Sequence, residues 1–164
     1  MKRQNYKKGF GLIEIIVASA VIGLVFFSLT FVFILASRLV HSSSDRVRAN
    51  FLAEEGIEAM HFLRDKSWSG NLAGLSSGIN YYLTFNSGTS IWTIGTTNPG
   101  TIDGLFTRKI QVAAVSRDSS DDIVSSGGTN DADSKLVKSI VTWLGRGTTQ
   151  TVEVDTYLSN IFNN

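Results

Sequence analysis

The hydrophobic positions of this chain fall into three regimes. From Phe10 to Ser37 the only formal charge is Glu14, and every other side chain is apolar, small or a hydroxyl. The uncharged run Ile15–Ala36 holds 22 residues, which at about 1.5 Å of rise per residue gives a helix of roughly 33 Å, enough to cross a bilayer core. From Arg38 the pattern becomes amphipathic. Ala49, Leu52, Gly56, Met60 and Leu63 recur at helical spacing with Ile57 beside them, while Glu54, Glu55, Glu58, Arg64 and Asp65 fall largely off that stripe. No proline separates the two regimes, so one helix is expected from Phe10 to about Lys66. The serines Ser42 to Ser44 are the place where hydroxyls would bend or interrupt it.

After Trp68-Ser69-Gly70 the periodicity changes to that of strands. Ile79–Phe85, Ser90–Ile94, Leu105–Val115, Lys135–Leu144 and Thr148–Leu158 are rich in β-branched and aromatic residues and are separated by turn-rich pieces. Gly145-Arg146-Gly147 is a short hairpin connection between the last two. Val137, Ser139, Val141 and Trp143 share one face of their strand, and Val152, Val154 and Thr156 share one face of the next. One face of the sheet should cover the amphipathic helix and the other should be more polar. The expected fold is α+β: a long N-terminal helix packed against a C-terminal antiparallel sheet of three to five strands. The organisation read from these boundaries is a leader at 1–9, an apolar helix at 10–37, an amphipathic helix at 38–67 and a sheet domain at 68–164.

Composition narrows the function. With 43% hydrophobic and 10% aromatic residues in 164, the chain has material for one compact core beside the apolar helix. The formal charge is +1, but four of fifteen basic residues, Lys2, Arg3, Lys7 and Lys8, precede the apolar run. Without them eleven basic side chains face fourteen acidic ones, a net of −3, which argues against a nucleic-acid surface. There is no cysteine, so the domain must close without a disulfide and has no thiolate chemistry. The only histidines are His41 and His61, and no glycine-rich phosphate loop joins a strand to a helix. No motif names an enzyme. Glu54, Glu55 and Glu58 with His61 lack the second histidine of a helical zinc motif and are read as a solvated or subunit-facing charge row.

The basic start orients the apolar helix, because positive residues stay on the cytoplasmic side and the bulk of the chain then crosses. Glu14 is not needed by a plain anchor. A carboxylate deep in a bilayer costs about 2.5–3.5 kcal/mol and such groups are usually paired. Cleavage between Gly9 and Phe10 would create an α-ammonium at the head of the helix, one turn from Glu14.

A basic leader, Gly9, aromatic Phe10, Glu14 and then a long apolar helix together resemble the class III signal of type IV prepilins and pseudopilins. The resemblance implies cleavage after Gly9 by a prepilin peptidase, methylation of Phe10, and assembly with other pilin subunits through the N-terminal helix on an inner-membrane platform. It also implies that Glu14 neutralises a neighbouring N-terminal amine. Gly23 matches a small residue common in such helices. Gly11 replaces the usual hydroxyl residue, and Phe31 stands where many major pilins have proline, which points to a minor pilin or pseudopilin. The C-terminal hairpin also resembles those of minor pilins, on a less specific match. The implied location is the cytoplasmic membrane, with the leader inside and the domain outside, followed by an extracellular or periplasmic filament.

Two other readings compete. A single-pass anchored binding domain that never polymerises explains length and orientation but leaves Glu14 without a reason. A secreted domain released near Ala36 requires an apolar core of only 7–15 residues, shorter than this one. One cofactor question remains. Arg117–Ser134 reads as a long acidic loop in which Asp118, Asp121, Asp122, Asp131 and Asp133 offer oxygen ligands, and the resemblance supplies a precedent in calcium-binding pseudopilins. Their spacing does not fit an EF-hand, and Asp with Gly, Ser and Asn is also what solvated turns use.

Overall fold

A computed structural model describes residues 11–164; the expected leader, with Gly9, and Phe10 lie outside the described residues. Helix α1 spans Leu12–Lys66 as 55 continuous residues. Ser42–Ser44 do not break it, since a few hydroxyls offset helix propensity only slightly when strong helix formers flank them. The chain divides into two compact units, Met1–Ser43 and Ser44–Asn164, and each has its own physical logic.

In the first unit the described part of α1 buries none of its side chains. Its large side chains from Leu12 to Val40 are exposed. Gly11 accepts backbone hydrogen bonds from Glu14 N at 3.0 Å and Ile15 N at 3.3 Å, starting the first turn.

The second unit is a helix on two small antiparallel sheets. Strands β1 (Tyr82–Asn86) and β2 (Ile91–Gly95) form a hairpin. Strands β3 (Thr107–Arg117), β4 (Ile123–Val124), β5 (Thr129–Gly145) and β6 (Thr148–Ser159) form a four-stranded sheet in the order β4-β3-β5-β6. The single sheet expected from the sequence is thus split in two. The sheets are linked at a paired bridge in which Tyr81 N donates to Ile110 O at 2.9 Å and Ile110 N donates to Tyr81 O at 2.8 Å.

The long loop expected at 117–134 is instead largely a hairpin. Arg117 pairs with both Ile123 of β4 and Thr129 of β5, and β5 begins at Thr129, six residues before the Lys135 start expected from the sequence. The turn depends on Gly127 and Gly128, at φ +73 and +75. A Cβ on Gly128 would also press on Arg117 O at 2.5 Å, so two independent constraints require glycine there. Polar composition hid these strands because their side chains face water. The β5–β6 connection behaves as expected: Arg146 and Gly147 both have positive φ, +52 and +79, the pair of left-handed residues that a type I′ hairpin needs.

The helix face that meets the sheet is Ala49, Ala53, Gly56, Ile57, Ala59, Met60 and Leu63. Ala53 takes the place expected for Leu52, which is only half-buried. Small residues are needed there because the helix runs close to β5. Ala49 and Ala53 pack with Phe106, Val141, Trp143 and Val152, with the Phe106 and Trp143 rings tilted at 5.8 Å. One to two turns further on, Met60 and Leu63 fill a second cluster with Leu72, Ile110, Val137 and Leu158. Gly56 lies between the two groups along the helix. A Cβ there would collide with Ser139 Oγ and come within 3.0 Å of Arg108 Cδ.

With no disulfide, the domain closes by hydrogen bonds at the end of α1. Asn164 Oδ1 accepts from Trp68 N at 3.0 Å, its backbone O accepts from Ser69 N at 3.0 Å, and its Nδ2 donates to Asp65 O at 3.2 Å. Ser67 caps the short helix α2 (Trp68–Asn71), accepting from Gly70 N. These bonds satisfy helix-terminal groups that would otherwise lack partners.

Ser139 Oγ is buried and has no hydrogen-bond partner. Leaving such a group unsatisfied costs about 1–3 kcal/mol, so Ser139→Ala should leave the melting temperature unchanged or raise it. Gly56→Ala should destabilise, because overpacking costs about 1–3 kcal/mol and the collision is with the neighbouring strand. In the double variant Ser139→Ala should recover part of that loss, a coupling that chemical denaturation of the four proteins in a double-mutant cycle measures directly.

Candidate functional site

The amino-terminal part of α1 carries the chemistry that the sequence singles out. Among the described residues α1 is the one helix long and apolar enough to cross a membrane, and none of its most apolar window is buried. Its hydroxyls are already satisfied within the helix. Ser19 Oγ donates to Ile16 O at 2.9 Å, Ser28 Oγ to Leu24 O at 2.8 Å and Thr30 Oγ1 to Phe26 O at 2.9 Å. Each side chain therefore presents carbon outward, which removes the cost of placing a bare hydroxyl in hydrocarbon. From Ser19 to Thr30 every hydroxyl has its acceptor within the helix.

Glu14 is the exception. It is exposed, in the first turn, and the only ionisable residue between Gly11 and Ser37. The positive end of the helix dipole favours a carboxylate at that position by about 0.3–1 kcal/mol, less than the cost of carrying it into hydrocarbon. A cationic partner would offset that cost. Gly9 and Phe10, the expected cleavage and methylation positions, lie outside the described residues.

Of the five aspartates singled out as oxygen donors, Asp118, Asp131 and Asp133 have carboxylates that accept hydrogen bonds from the protein itself. Asp131 Oδ2 accepts from Arg117 Nε at 2.7 Å, and its Oδ1 accepts from Asp133 N at 3.0 Å. Asp118 Oδ1 accepts from Ser120 N and Asp122 N at 2.8 and 3.0 Å. Asp133 Oδ1 accepts from Asn160 Nδ2 at 3.0 Å. Asp121, at φ +68, offers its carbonyl to Arg117 Nη1 at 2.9 Å. Arg117 is the organising cation of this hairpin, and among the described residues no three acidic or histidine side chains gather into a group that would hold a metal.

The aromatic residues divide in the same practical way. Trp68, Tyr81 and Trp143 are core. Tyr82 and Trp92 are half-buried. Phe85 and Trp92 are cross-strand partners on the β1–β2 hairpin, with ring centroids 5.0 Å apart.

Arg108 was not singled out by sequence, yet it is the most buried cation of the domain described here, at 7% relative exposure. Its Nη1 donates to Leu52 O at 2.9 Å and to Glu55 Oε2 at 2.8 Å, and its guanidinium lies 5.3 Å from the Trp92 ring centroid. The signal was present: Arg108, Ile110 and Val112 alternate along β3 in step with Phe106 just before it, and all four are buried. An inward position in a strand thus outranked residue type.

Residues 4–30 match the family described as the prokaryotic N-terminal methylation motif. The chain therefore carries a class III signal of the type IV prepilin kind, the mark of a pilin-like precursor processed by a prepilin peptidase. That match and the exposed apolar helix support anchoring in a membrane. No curated protein and no solved structure matches the chain.

The Arg117 hydrogen bond holds the Asp131 carboxyl below its ordinary pKa of 3.8. A carboxyl depressed in the folded state contributes stability above its unfolded pKa and loses it as pH falls through the folded value. Asp131→Asn should therefore melt lower than the parent at neutral pH, and the gap should close as pH falls below the ordinary carboxylate value. Thermal melts from neutral pH to below that value check the sign.

Proposed function

We propose that the chain is a minor pilin or pseudopilin, a structural subunit of a type IV pilus or a type II secretion-like filament. The observation that carries this reading is Glu14, the single carboxylate in the otherwise apolar, exposed stretch of α1 up to Ala36, inside the matched methylation motif. In this reading a prepilin peptidase cuts after Gly9, Phe10 becomes the N-terminus and is methylated on its amine, and the precursor waits in the cytoplasmic membrane with its leader inside. Residues 10–37 span the bilayer and then enter the filament core. Residues 38–67 carry the sheet domain, 68–164, which faces outward in an extracellular or periplasmic filament.

The physical step is charge neutralisation. A free ammonium on Phe10 and the Glu14 carboxylate are both costly in hydrocarbon, and pairing them lowers that cost. When the amine belongs to an incoming subunit's neighbour, the pair also sets the axial position of one helix against the next. The apolar surface from Leu12 to Val40 supplies the non-specific part of the association, and the ion pair supplies its register. Partners in this reading are other pilin subunits, the peptidase, the inner-membrane assembly platform and, before assembly, lipid. The role is structural and assigns no catalytic residue.

The competing reading is an anchored binding domain that does not polymerise. It is distinguished by two measurements. Intact mass and N-terminal sequencing of the protein from its native membrane should show a chain beginning at methylated Phe10; a chain still beginning at Met1 beside an active peptidase would favour the anchored domain. Glu14→Ala should keep membrane insertion and cut incorporation into filaments more than about tenfold, because a buried charge left without its partner costs about 3–5 kcal/mol. Normal incorporation of the variant would overturn the assembly role of Glu14.

A further inference from the structure

The second unit has a groove along the outer side of α1, between the helix and the β1–β2 hairpin. Its two adjoining hollows, of about 290 and 410 Å³, share Glu55, Phe85 and Trp92. One is floored by Arg108; the other is lined by Glu58 and Phe62. We propose that this groove binds an arginine- or lysine-bearing segment of a partner protein, with Glu58 and the Phe62, Phe85 and Trp92 rings receiving the cationic side chain.

The chemistry is already displayed twice inside the domain. Arg108 lies 5.3 Å from the Trp92 centroid and 2.8 Å from Glu55 Oε2, a cation held by a ring and a carboxylate together. Arg48 is held the same way, 5.3 Å from the Phe106 centroid and 2.7 Å from Asp103 Oδ2. Glu58 repeats the Glu55 carboxylate three residues further along α1, on the same side of the helix. It is exposed, and no hydrogen bond or ion pair engages it among the described residues. The apolar surface beside it is also uncovered, with Phe62 40% and Phe85 49% exposed.

Charge decides the class of partner. The hairpin from Asn80 to Gly95 has no charged residue, so the groove's field comes from Glu55, Glu58 and Arg108. Arg108 is nearly neutralised by Glu55, which leaves Glu58 as the uncompensated charge. An acidic or phosphorylated segment would meet that carboxylate and lose; a purely apolar one would bury it without a partner. An arginine or lysine satisfies the carboxylate with its head and covers the rings with its stem. The site lies wholly in the second unit, so it does not depend on whether the chain polymerises.

The test uses the full chain in detergent micelles, titrated by calorimetry with acetyl-Gly-Arg-Gly-Arg-Gly-amide and with the same peptide carrying glutamate for arginine. The arginine peptide should bind saturably and the glutamate peptide should not. Glu58→Gln should weaken binding by about tenfold, the loss of one good charged contact, whereas Asp155→Asn, on β6, should leave it unchanged. Phe85→Ala should weaken it as well, which separates a ring-and-carboxylate site from simple attraction of opposite charges. Equal affinity of the parent and Glu58→Gln, or no binding of the arginine peptide, would overturn the proposal. Sedimentation of the parent that shows self-association abolished by Glu58→Gln would assign the groove to a second copy of this chain and overturn the separate partner.

Discussion

One helix in this protein has to satisfy two solvents, and the rest of the chain follows from that constraint. A backbone that is α-helical from Leu12 to Lys66 keeps its hydrogen bonds internal, the condition for entering hydrocarbon. Its first part spends no side chain on packing and folds its hydroxyls back onto its own carbonyls. Its last part does the reverse, burying a narrow stripe of alanine, glycine and longer apolar residues against strands. The boundary between the two compact units, at Ser43 and Ser44, coincides with the serine run where the apolar pattern gives way to charge.

The same constraint explains how the domain manages without cysteine. Its core has to be organised around a helix whose end is fixed, so the stabilising contacts concentrate there. Leu63 O accepts from Ser67 N and Asn71 Nδ2, and Asn164 bonds to Asp65, Trp68 and Ser69. The other end of the contact is governed by shape. Small residues at Ala49, Ala53 and Gly56 let the backbone of the helix approach β5, while Phe106 and Trp143 fill what the alanines leave. The buried Ser139 hydroxyl lies against Gly56, where a Cβ on the helix would collide with it.

Function in this reading is divided between two carboxylates on the same helix with opposite surroundings. Glu14 stands in apolar company, with no cation beside it among the described residues from Gly11 to Ser37. Glu58 stands beside aromatic rings on a folded domain, one turn from Glu55, which has found its cation in Arg108. Both are legible as unpaired charge, but only the first belongs to a motif that matches a described family.

The sequence by itself determined the long helix, the class III signal, the α+β class and the approximate position of five strands, because each rests on local periodicity or on residue spacing along one element. The stripe from Ala49 to Leu63 and the alternation through Val137, Ser139, Val141 and Trp143 are local signals of that kind. What the tertiary structure alone decided are pairings between distant segments. Thr129–Ser134 and Ile123-Val124 became strands through their partners on β3 despite polar composition. Asp131 became an ion-pair partner of Arg117 once the hairpin brought them together. Arg108 was drawn inward by its place in β3 and acquired Glu55 and Trp92 from two other elements. A side chain's periodicity is written in its neighbours along the chain, whereas its partner is chosen by register and packing, which no short window of sequence contains.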